Sequence, residues 1–352
     1  MTKEEILSIE LEKPDPKVAL KVRDNWDKVA KPLDGLGKFE RLIARIGAIT
    51  GKSEIDISKK AVIVMCADNG IVEEGISQSG QEVTFKVAEN IAHGSASVCR
   101  MAGSAGAGVL AVDIGINSSE KVSGIIQRRV MNGTRNFVKE PAMSEEEAAK
   151  AISVGIDMAK SAVKEGYNLL AVGEMGIGNT TTAGAVALAL LDAEAEELAG
   201  RGAGLDEVRL KRKRRIIEQA VEKYSLKTAE PFEVLRCVGG LDIAGIAGVY
   251  IGSALSHVPV VIDGAIAAAA ALIAERMLPG VKEYMLPSHV GREKISSLSM
   301  RELGFDCVLD ADLALGEGTG AVMLFPLLDM ALAVYNNRTT FDDLRMEEYK
   351  RF

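Results

Sequence analysis

The chain is poor in aromatic residues, which make up 4% of its 352 positions and include a single tryptophan. Hydrophobic residues nonetheless account for 47% of the sequence. A sizeable core must therefore be built mainly from Ala, Val, Leu, Ile and Met. A chain of this length forms one large α/β domain or two smaller units.

The sequence also lacks the cysteine and histidine patterns of a metal site or a disulfide framework. No CxxC spacing occurs, and neither residue type is clustered. The four cysteines are Cys66, Cys99, Cys237 and Cys307, and the three histidines are His93, His257 and His289. We expect the cysteines to be small buried residues in a reducing compartment, and we expect no metal.

An excess of positive charge and long apolar runs are missing as well. The formal charge of −8 argues against a general nucleic-acid binder. The N-terminus is charged and has no apolar segment of the kind found in signal peptides. The alanine-rich stretch 265–274 suits close helix packing better than a bilayer. We therefore expect a soluble, cytoplasmic protein with neither nucleic acid nor membrane as a partner.

Five apolar, β-branched runs are separated by helical stretches. They are Ala61–Cys66, Val109–Asp113, Asn168–Val172, Val258–Ile262 and Val308–Leu315. Near-continuous apolar runs are typical of a parallel sheet that is buried on both faces. We therefore predict an α/β fold, with a Rossmann-like parallel sheet flanked by helices.

The two ends of the chain have a different pattern. Residues 1–50 have the charged faces of helices, with a break at Lys31–Gly37, and no linker divides the rest of the chain. We predict a large α/β domain over about residues 61–324. Residues 1–60 and about 325–352 are predicted to form a smaller helical domain.

Several predicted strands end in glycine and an acidic residue. The four turns are Asp68–Gly70, Gly173–Glu174, Asp263–Gly264 and Gly316–Gly318. In open α/β sheets, ligands bind at the carboxyl ends of the strands. We therefore expect the four turns to surround a common pocket. At Asp263, an N-cap of the following helix is the favoured alternative.

The segment Gly173–Thr182 predicts a strand, a tight turn and a helix. Free N–H groups and three hydroxyls at a helix N-terminus favour an anion, and Glu174 lies in the same turn. The segment lacks the lysine of a P-loop and completes only part of a GxGxxG pattern. It indicates phosphate binding beside an acid, as in chemistry on a phosphorylated sugar. A tight connection without a ligand is the alternative.

Two further glycine turns could belong to the same site. Ala199–Gly204 precedes the basic run Arg209–Arg215, which is mostly a solvated helix face but could supply one cation to a phosphate. Leu315–Gly320 places Glu317 among glycines, where a carboxylate can act as a general base. From the pattern alone, this last segment is either a turn or a site.

Taken together, these motifs resemble those of nicotinate-nucleotide:dimethylbenzimidazole phosphoribosyltransferases over roughly residues 30–345. The matching segments are Ala67–Gly70, Glu73–Ser77, Glu82–Thr84, Gly173–Thr182, Gly202–Gly204, Val238–Gly245, Val260–Gly264 and Leu315–Gly320. The resemblance implies transfer of 5-phosphoribosyl from nicotinate mononucleotide to an aromatic base, with inversion to an α-ribotide and release of nicotinate.

The resemblance also implies roles for individual residues. Glu317 matches the general base, and Glu174 matches an acid near the ribose. The phosphoribosyl group would be held by Gly176, Gly178, Asn179, Thr180, Gly202 and Lys213. The nicotinate side would be formed by Asp263, Gly264 and Gly291. By the same resemblance, no metal or cofactor is expected. A cationic nicotinate leaving group already weakens the glycosidic bond, so the enzyme mainly positions the substrates and activates the nucleophile.

The departures from the family pattern lie where the incoming base would bind. Ser79 and Gly80 replace a Tyr-Pro pair, and Lys86 replaces a glutamine. The base pocket is predicted from Ser77, Ser79, Gly80, Lys86, Met175 and Leu315. Loss of an aromatic side chain widens this pocket, so phenol or p-cresol become candidate acceptors beside dimethylbenzimidazole. A homodimer, or a heterodimer with a paralogous chain, is expected.

Two other functions compete with this interpretation. A nicotinamide-dependent oxidoreductase would need a complete GxGxxG near the first strand, with an acid about twenty residues further on, and neither is convincing. A catalytically weak phosphosugar-binding subunit of a heteromeric transferase would fit the altered base pocket. Intact Glu174 and Glu317 argue against that alternative.

Overall fold

The computed structural model describes residues 1–202 and 204–351. Within these ranges, the chain forms a parallel sheet of six strands and a separate parallel pair. The strands are β1 Lys60–Ala67, β2 Ala107–Gly115, β3 Ile126–Gln127, β4 Leu169–Met175, β5 Val260–Ile262, β6 Met285–Pro287, β7 His289–Gly291 and β8 Leu309–Leu313.

Fourteen α-helices surround the strands in the described ranges. They are α1 Lys3–Leu7, α2 Pro16–Asp27, α3 Lys38–Thr50, α4 Glu82–Ala92, α5 Ser97–Ser104, α6 Glu145–Lys164, α7 Asn179–Leu190, α8 Ala195–Leu198, α9 Glu207–Lys223, α10 Pro231–Val238, α11 Leu241–Leu255, α12 Ala265–Met277, α13 Lys294–Glu302 and α14 Thr319–Asn336. Short 3₁₀ helices span Gly70–Glu74, Leu226–Thr228 and Val281–Tyr284.

The main sheet has the strand order β3-β2-β1-β4-β5-β6. This is the doubly wound order, in which the direction of winding reverses between β1 and β4. Side chains of β1 alternate between two cores. Ile63 and Met65 pack with α6, α7, α11 and α12, while Val64 and Cys66 pack on the opposite face with α3, α5 and α14. The predicted Rossmann-like α/β fold is confirmed.

Two details of the predicted sheet were wrong. The run Val308–Leu315 does not join the main sheet: its strand β8 pairs with β7 and is largely exposed. Acidic residues at alternate positions, Asp310 and Asp312, keep this strand from being buried on both faces. The sheet also contains β3 and β6, which have only two and three residues, too few to stand out as apolar runs.

The helices at the two ends of the chain share a core with one face of the main sheet. Trp26 and Ile43 belong to the same buried cluster as Val64 of β1 and Phe325 of α14. Helix α14 begins in the Glu317 turn and continues past residue 325. The division into a large and a small domain stays a prediction.

Helix α14 is also the one helix in the described ranges whose length and composition would allow it to cross a membrane. Its mean hydropathy is 1.4 over 18 residues. It packs against α3, α5 and β4, as the apolar helix of a protein core does. By itself this helix is weak evidence for a membrane span.

Candidate active site

A cavity of about 260 Å³ opens at the carboxyl ends of β4, β5, β7 and β8. Many of the predicted site residues line it. These are Glu174, Met175, Gly176, Asn179, Thr180, Gly202, Asp263, Gly264, Gly291, Leu315 and Glu317. Three of the four acid-bearing turns therefore meet, as predicted. The fourth does not line the cavity: the Asp68 carboxylate instead accepts a hydrogen bond from the Asn117 N–H at 2.8 Å.

The turn after β4 leads directly into α7, and glycine is required at two of its positions. Gly178 has φ +94°, which side chains rarely adopt. A Cβ at Gly176 would lie 2.9 Å from Asp242 Oδ2 and closer still to the Ala67 carbonyl oxygen. This close packing brings the first turn of α7 to the cavity wall.

Only one of the three threonine hydroxyls at this turn faces the cavity. Thr180 lines it, whereas Thr182 donates a hydrogen bond to Asn69 Oδ1 at 3.0 Å and is buried. Thr181 is fully buried, and its hydroxyl has no hydrogen-bond partner among the described residues. All three threonines lie in the first turn of α7, as predicted, but the helix turns them onto different faces, so that only Thr180 lines the cavity.

Glu174 lies at the end of β4 against the floor of the cavity. Its carboxylate accepts a hydrogen bond from Asn179 Nδ2. Burial raises the pKa of Glu174 to about 8, and the nearby carboxylates of Asp242 and Asp263 add to the shift. Burial also raises the pKa of Asp242 to about 6. At neutral pH the Glu174 carboxyl group is therefore mainly protonated and can donate a hydrogen bond.

Lys213 is the one residue of the basic run Arg209–Arg215 that is buried beside the glycine turn. Its side chain is 1% exposed, and Nζ donates to Thr180 Oγ1 at 2.9 Å and to the Gly200 carbonyl at 3.1 Å. Burial lowers the pKa of Lys213 to about 8, opposed by the Glu293 carboxylate. An ammonium group and the hydroxyl of Thr180 thus meet where an anion is expected.

The neighbouring turn completes this end of the cavity. Gly202 has φ +52°, and its N–H donates to Glu293 Oε1 at 2.9 Å. Of the matching segment Gly202–Gly204, Ala203 lies outside the described residues. Gly178 does not line the main cavity, but it lines a smaller adjoining one together with Thr180 and Gly202.

Glu317 lies in the turn between β8 and α14 in a left-handed conformation, with φ +62°. Such a conformation costs a residue other than glycine about 1 kcal/mol or more and persists only where the surroundings enforce it. Glu317 Oε2 accepts a hydrogen bond from the Val98 N–H at 3.1 Å, at the N-terminus of α5. The carboxylate is thus held at the cavity wall by a backbone donor.

Asp263 holds the Glu317 turn in place. Its Oδ2 accepts from the Gly318 N–H at 3.2 Å, and its Oδ1 accepts from the Ala321 N–H at 3.0 Å. The alternative that Asp263 caps its own following helix was wrong: α12 has Gly264 at its N-cap and no side-chain cap. Asp263 instead caps the first turn of α14 across the sheet.

The turn that carries Glu174 and the turn that carries Glu317 also touch through their backbones. A Cβ at Gly173 would overlap the carbonyl group of Glu317 and lie 2.7 Å from the Gly318 nitrogen. A Cβ at Gly318 would lie 3.0 Å from the Val172 carbonyl oxygen. Only glycine at these positions allows the Glu174 strand and the Glu317 turn to approach so closely.

The predicted base-pocket residues are divided between two places. Met175 and Leu315 line the main cavity, and Leu315 is 56% exposed. Ser77 lines the adjoining small cavity. Ser79, Gly80 and Lys86 line neither, although all three are described. Ser79 lies in a turn in which its N–H donates to Ser77 Oγ, and Lys86 lies on α4.

Three residues without an assigned role also belong to the site. His289 and Glu293 line the cavity, and Asp242 lies below it, fully buried, with Oδ2 unpartnered among the described residues. Burial lowers the pKa of His289, opposed by the charge of Asp263. Neither His289 nor Glu293 was predicted from the sequence, although each lies two residues from the predicted Gly291.

The cysteines and the metal-ligating residue types are dispersed over the described residues. All four cysteines are free, Cys66 and Cys237 are buried, and Cys99 and Cys307 are partly exposed, which corrects the expectation of complete burial. Over residues 1–202 and 204–351, no group of three His, Cys, Asp or Glu side chains is arranged to hold a metal.

Comparisons with known proteins agree with this geometry. Residues 11–345 match a family described as phosphoribosyltransferases. The chain is 45% identical to a nicotinate-nucleotide–dimethylbenzimidazole phosphoribosyltransferase of Acetivibrio thermocellus over 94% of both chains. It is 43% identical to one of Clostridium perfringens over 94% of this chain and 91% of that one. The crystal structure of CobT from Thermus thermophilus superposes with a TM-score of 0.90 at 37% identity, covering 95% of this chain and all of that one.

Proposed function

The chain belongs to the nicotinate-nucleotide–dimethylbenzimidazole phosphoribosyltransferase family and is a pentosyltransferase, and we propose that it uses nicotinate mononucleotide as its donor. The acceptor is an aromatic base, dimethylbenzimidazole or a phenolic compound such as phenol or p-cresol. The products are an α-ribotide and nicotinate. The observation that supports the proposal is that Glu174 and Glu317 line one cavity together with Thr180. The Lys213 ammonium group lines neither cavity itself, but it donates to Thr180 Oγ1 from behind the cavity wall.

The donor lies along the cavity with its phosphate at the Lys213 end. Asn179, Thr180 and Gly202 complete the binding of the phosphoribosyl group, with Gly176 and Gly178 giving the turn its shape. Phosphate is well matched to a buried ammonium group and backbone N–H donors. Asp263, Gly264 and Gly291 then lie on the nicotinate side.

Glu317 is the general base in this proposal. The incoming azole N–H or phenolic O–H gives its proton to the Glu317 carboxylate as its nitrogen or oxygen bonds to C1′ of the ribose. The glycosidic bond breaks on the opposite face, and its electron pair neutralises the pyridinium nitrogen of nicotinate. A single displacement of this kind inverts the anomeric carbon. It requires neither a metal nor a cofactor, because the leaving group is already cationic.

Glu174 acts from the other wall as a hydrogen-bond donor. With a pKa raised to about 8, it is neutral at pH 7 and adds no negative charge close to the donor phosphate. A neutral carboxyl group can donate to a ribose hydroxyl, while Asn179 Nδ2 fixes its orientation. Glu174 thereby positions the sugar relative to Glu317.

The choice of acceptor depends on the pocket beside Met175 and Leu315. Ser79 lines neither cavity here, so the wider pocket rests on the family resemblance, in which an aromatic residue stands at this position. Without that aromatic side chain, phenols as well as benzimidazoles can be accepted. The direct test incubates the protein and nicotinate mononucleotide with dimethylbenzimidazole, phenol and p-cresol, and identifies the products by mass. Rapid turnover of dimethylbenzimidazole with none of the phenols would reject the wider pocket.

The role of Glu317 is tested by the variant Glu317→Gln. It should lose turnover and still bind nicotinate mononucleotide, because the proton acceptor is removed and the phosphate end is untouched. Unchanged turnover would exclude the general-base role. Absence of turnover in the wild-type chain with every base would favour the phosphosugar-binding subunit instead.

We also propose that the chain works in the cytoplasm as a dimer, either with itself or with a paralogous chain. An apolar stripe on α14 supports this: Met323, Leu327, Met330 and Val334 follow helical spacing, and Met330 is 60% exposed. Light scattering of the wild type and of Met330→Glu tests the interface. A monomeric wild type with full activity would exclude a homodimer.

A further inference from the structure

The anion-binding end of the cavity contains a carboxylate that the proposed reaction does not use. Glu293 follows β7 and stands at the N-cap position of α13. Its Oε1 accepts the hydrogen bond of the Gly202 N–H at 2.9 Å. Its Oε2 is shielded from solvent, fills the space that a Cβ at Gly200 would need, and has no hydrogen-bond partner among the described residues.

The same groups are the ones a phosphate would need. The Gly202 N–H and the Lys213 ammonium lie beside Thr180 at this end, and the charge of Glu293 acts on Lys213. A carboxylate that occupies the N–H denies it to a phosphate oxygen. Its negative charge also repels an approaching phosphate. Full phosphate binding therefore requires Glu293 to leave.

Because Glu293 Oε2 has no hydrogen-bond partner among the described residues, this position satisfies a carboxylate only in part. Burial of a charged oxygen without a partner is costly. A phosphate has more oxygens to accept hydrogen bonds from the Gly202 N–H and the Lys213 ammonium group, whereas Glu293 accepts from the Gly202 N–H alone. A phosphate can therefore replace the Glu293 carboxylate at the Gly202 N–H.

We propose that Glu293 is an intramolecular place-holder that occupies the Gly202 N–H in the empty enzyme and is displaced by the 5′-phosphate. This rests on the proposed function, because the phosphate is that of the donor. When the α-ribotide leaves, the carboxylate returns to the N–H. Donor binding and product release are thus coupled to β7 and the short turn that joins it to α13, because His289 and Gly291 of β7 line the same cavity.

The test is calorimetric titration of the full chain with inorganic phosphate and with ribose 5-phosphate. If the closed form outnumbers the open form about tenfold, removal of the competing carboxylate raises the apparent affinity about tenfold. Glu293→Ala should therefore bind both ligands about tenfold tighter than the wild type. Glu293→Gln, which keeps an acceptor oxygen but loses the charge, should lie between the two. Glu302→Gln, an equal change of charge at an exposed site on α13, should match the wild type.

The sign of the change separates a place-holder from a structural support. If Glu293 holds the 200–202 turn in its binding shape, Glu293→Ala binds phosphate more weakly, and that result, or an unchanged affinity, overturns the proposal. Circular dichroism and thermal unfolding establish that the variant is folded. If Glu293→Ala does not fold, the same criterion applies to Glu293→Gln: tighter phosphate binding supports the place-holder, and weaker or unchanged binding overturns it.

Failure here is distinguishable from failure of the proposed function. Tighter phosphate binding without any transferase turnover supports the place-holder and rejects the reaction. Normal turnover with an unchanged phosphate affinity rejects only the place-holder. Binding of phosphate by neither the wild type nor the variants would reject both.

Discussion

Replacement of Asp263 distinguishes a residue that touches nicotinate from one that shapes the Glu317 turn. Its two carboxylate oxygens accept from the Gly318 and Ala321 N–H groups. Each hydrogen bond to a charged acceptor contributes about 1.5–3 kcal/mol. Asp263→Ala removes both and leaves two buried donors unpaired, so we expect a loss of about 3 kcal/mol or more in the free energy of unfolding. Asp263→Asn keeps one acceptor and should lose about half as much.

The same variants should lower kcat. Glu317 is held at φ +62°, and without Asp263 this strained turn relaxes. Misplacement of a catalytic group by about 1 Å can reduce the rate about a hundredfold. We expect a fall of that order in kcat for Asp263→Ala, with the KM for nicotinate mononucleotide changed much less, since the phosphate end is distant from this contact.

Urea unfolding and steady-state kinetics measure the two effects. Asp310→Asn is the matched control, because Asp310 is exposed on β8 and its loss changes the charge equally. Unchanged stability and kcat with a strongly raised KM for nicotinate mononucleotide would refute the positioning role. Such a result would place Asp263 on the nicotinate side, as the family resemblance implies.

Three further substitutions have defined outcomes. Because the pKa of Glu174 is raised from 4.5 to about 8, the folded state binds more protons than the unfolded state between these pH values, so wild-type stability falls as pH rises through this window. The stability of Glu174→Gln, measured by urea unfolding, should lack this fall. The same pH dependence in both proteins would contradict the raised pKa of Glu174. Lys213→Met should weaken phosphate binding, measured by calorimetry, about tenfold to a hundredfold. The affinity of the wild type for phosphate should decline as pH rises past 8, where Lys213 loses its proton. An affinity that does not change with pH would exclude Lys213 as the cation that binds the phosphate. Gly173→Ala should lower the free energy of unfolding by about 1–3 kcal/mol and should also lower kcat, because the added methyl group overlaps the Glu317 backbone. Gly103→Ala places a methyl group in open space and should change neither the stability nor kcat.

The sequence predicted the elements whose pattern is local. The apolar runs of β1 and β4 indicate buried strands because both faces of each strand are covered. The glycine turns after β4 and β8 were predicted because the chain reverses there within a few residues. Lys213 could be selected only through the family resemblance, since its basic neighbours have the same pattern and burial alone distinguishes it.

Contacts between distant parts of the chain could not be predicted in this way. The Asp263 to Gly318 hydrogen bond joins residues 55 positions apart, and an aspartate before a helix has the same local pattern whether it caps that helix or another. Glu293 is 91 positions from Gly202, and nothing local marks it as an occupant of an anion site. Such roles follow from the way the turns pack at the sheet edge.

The turns that carry Glu174 and Glu317 and the loop of residues 77–80 are held in place by different kinds of contact. The Glu174 strand and the Glu317 turn meet through backbone atoms at Gly173, so Glu174 and Glu317 are held in a fixed relation by packing alone. An in-line displacement requires this fixed relation. The loop that carries Ser77 to Gly80 is attached differently, through side chains: the Gln78 amide donates to the Gly204 carbonyl, and the Gln81 amide donates to the Asn69 carbonyl at 3.1 Å.

This difference allows the acceptor to change while the chemistry stays the same. Of this loop, Ser77 and Gln78 line the small cavity that adjoins the main one. We expect substitutions in residues 77–80 to change acceptor binding without moving Glu174 or Glu317, because the backbone contact between their two turns does not involve that loop. Ser79→Tyr should therefore alter the KM for the acceptor and the ratio of phenol to dimethylbenzimidazole turnover, while the affinity for nicotinate mononucleotide stays constant. A parallel loss of donor affinity would mean that this loop shapes the donor site as well, and that base preference and phosphoribosyl binding are not separable in this fold.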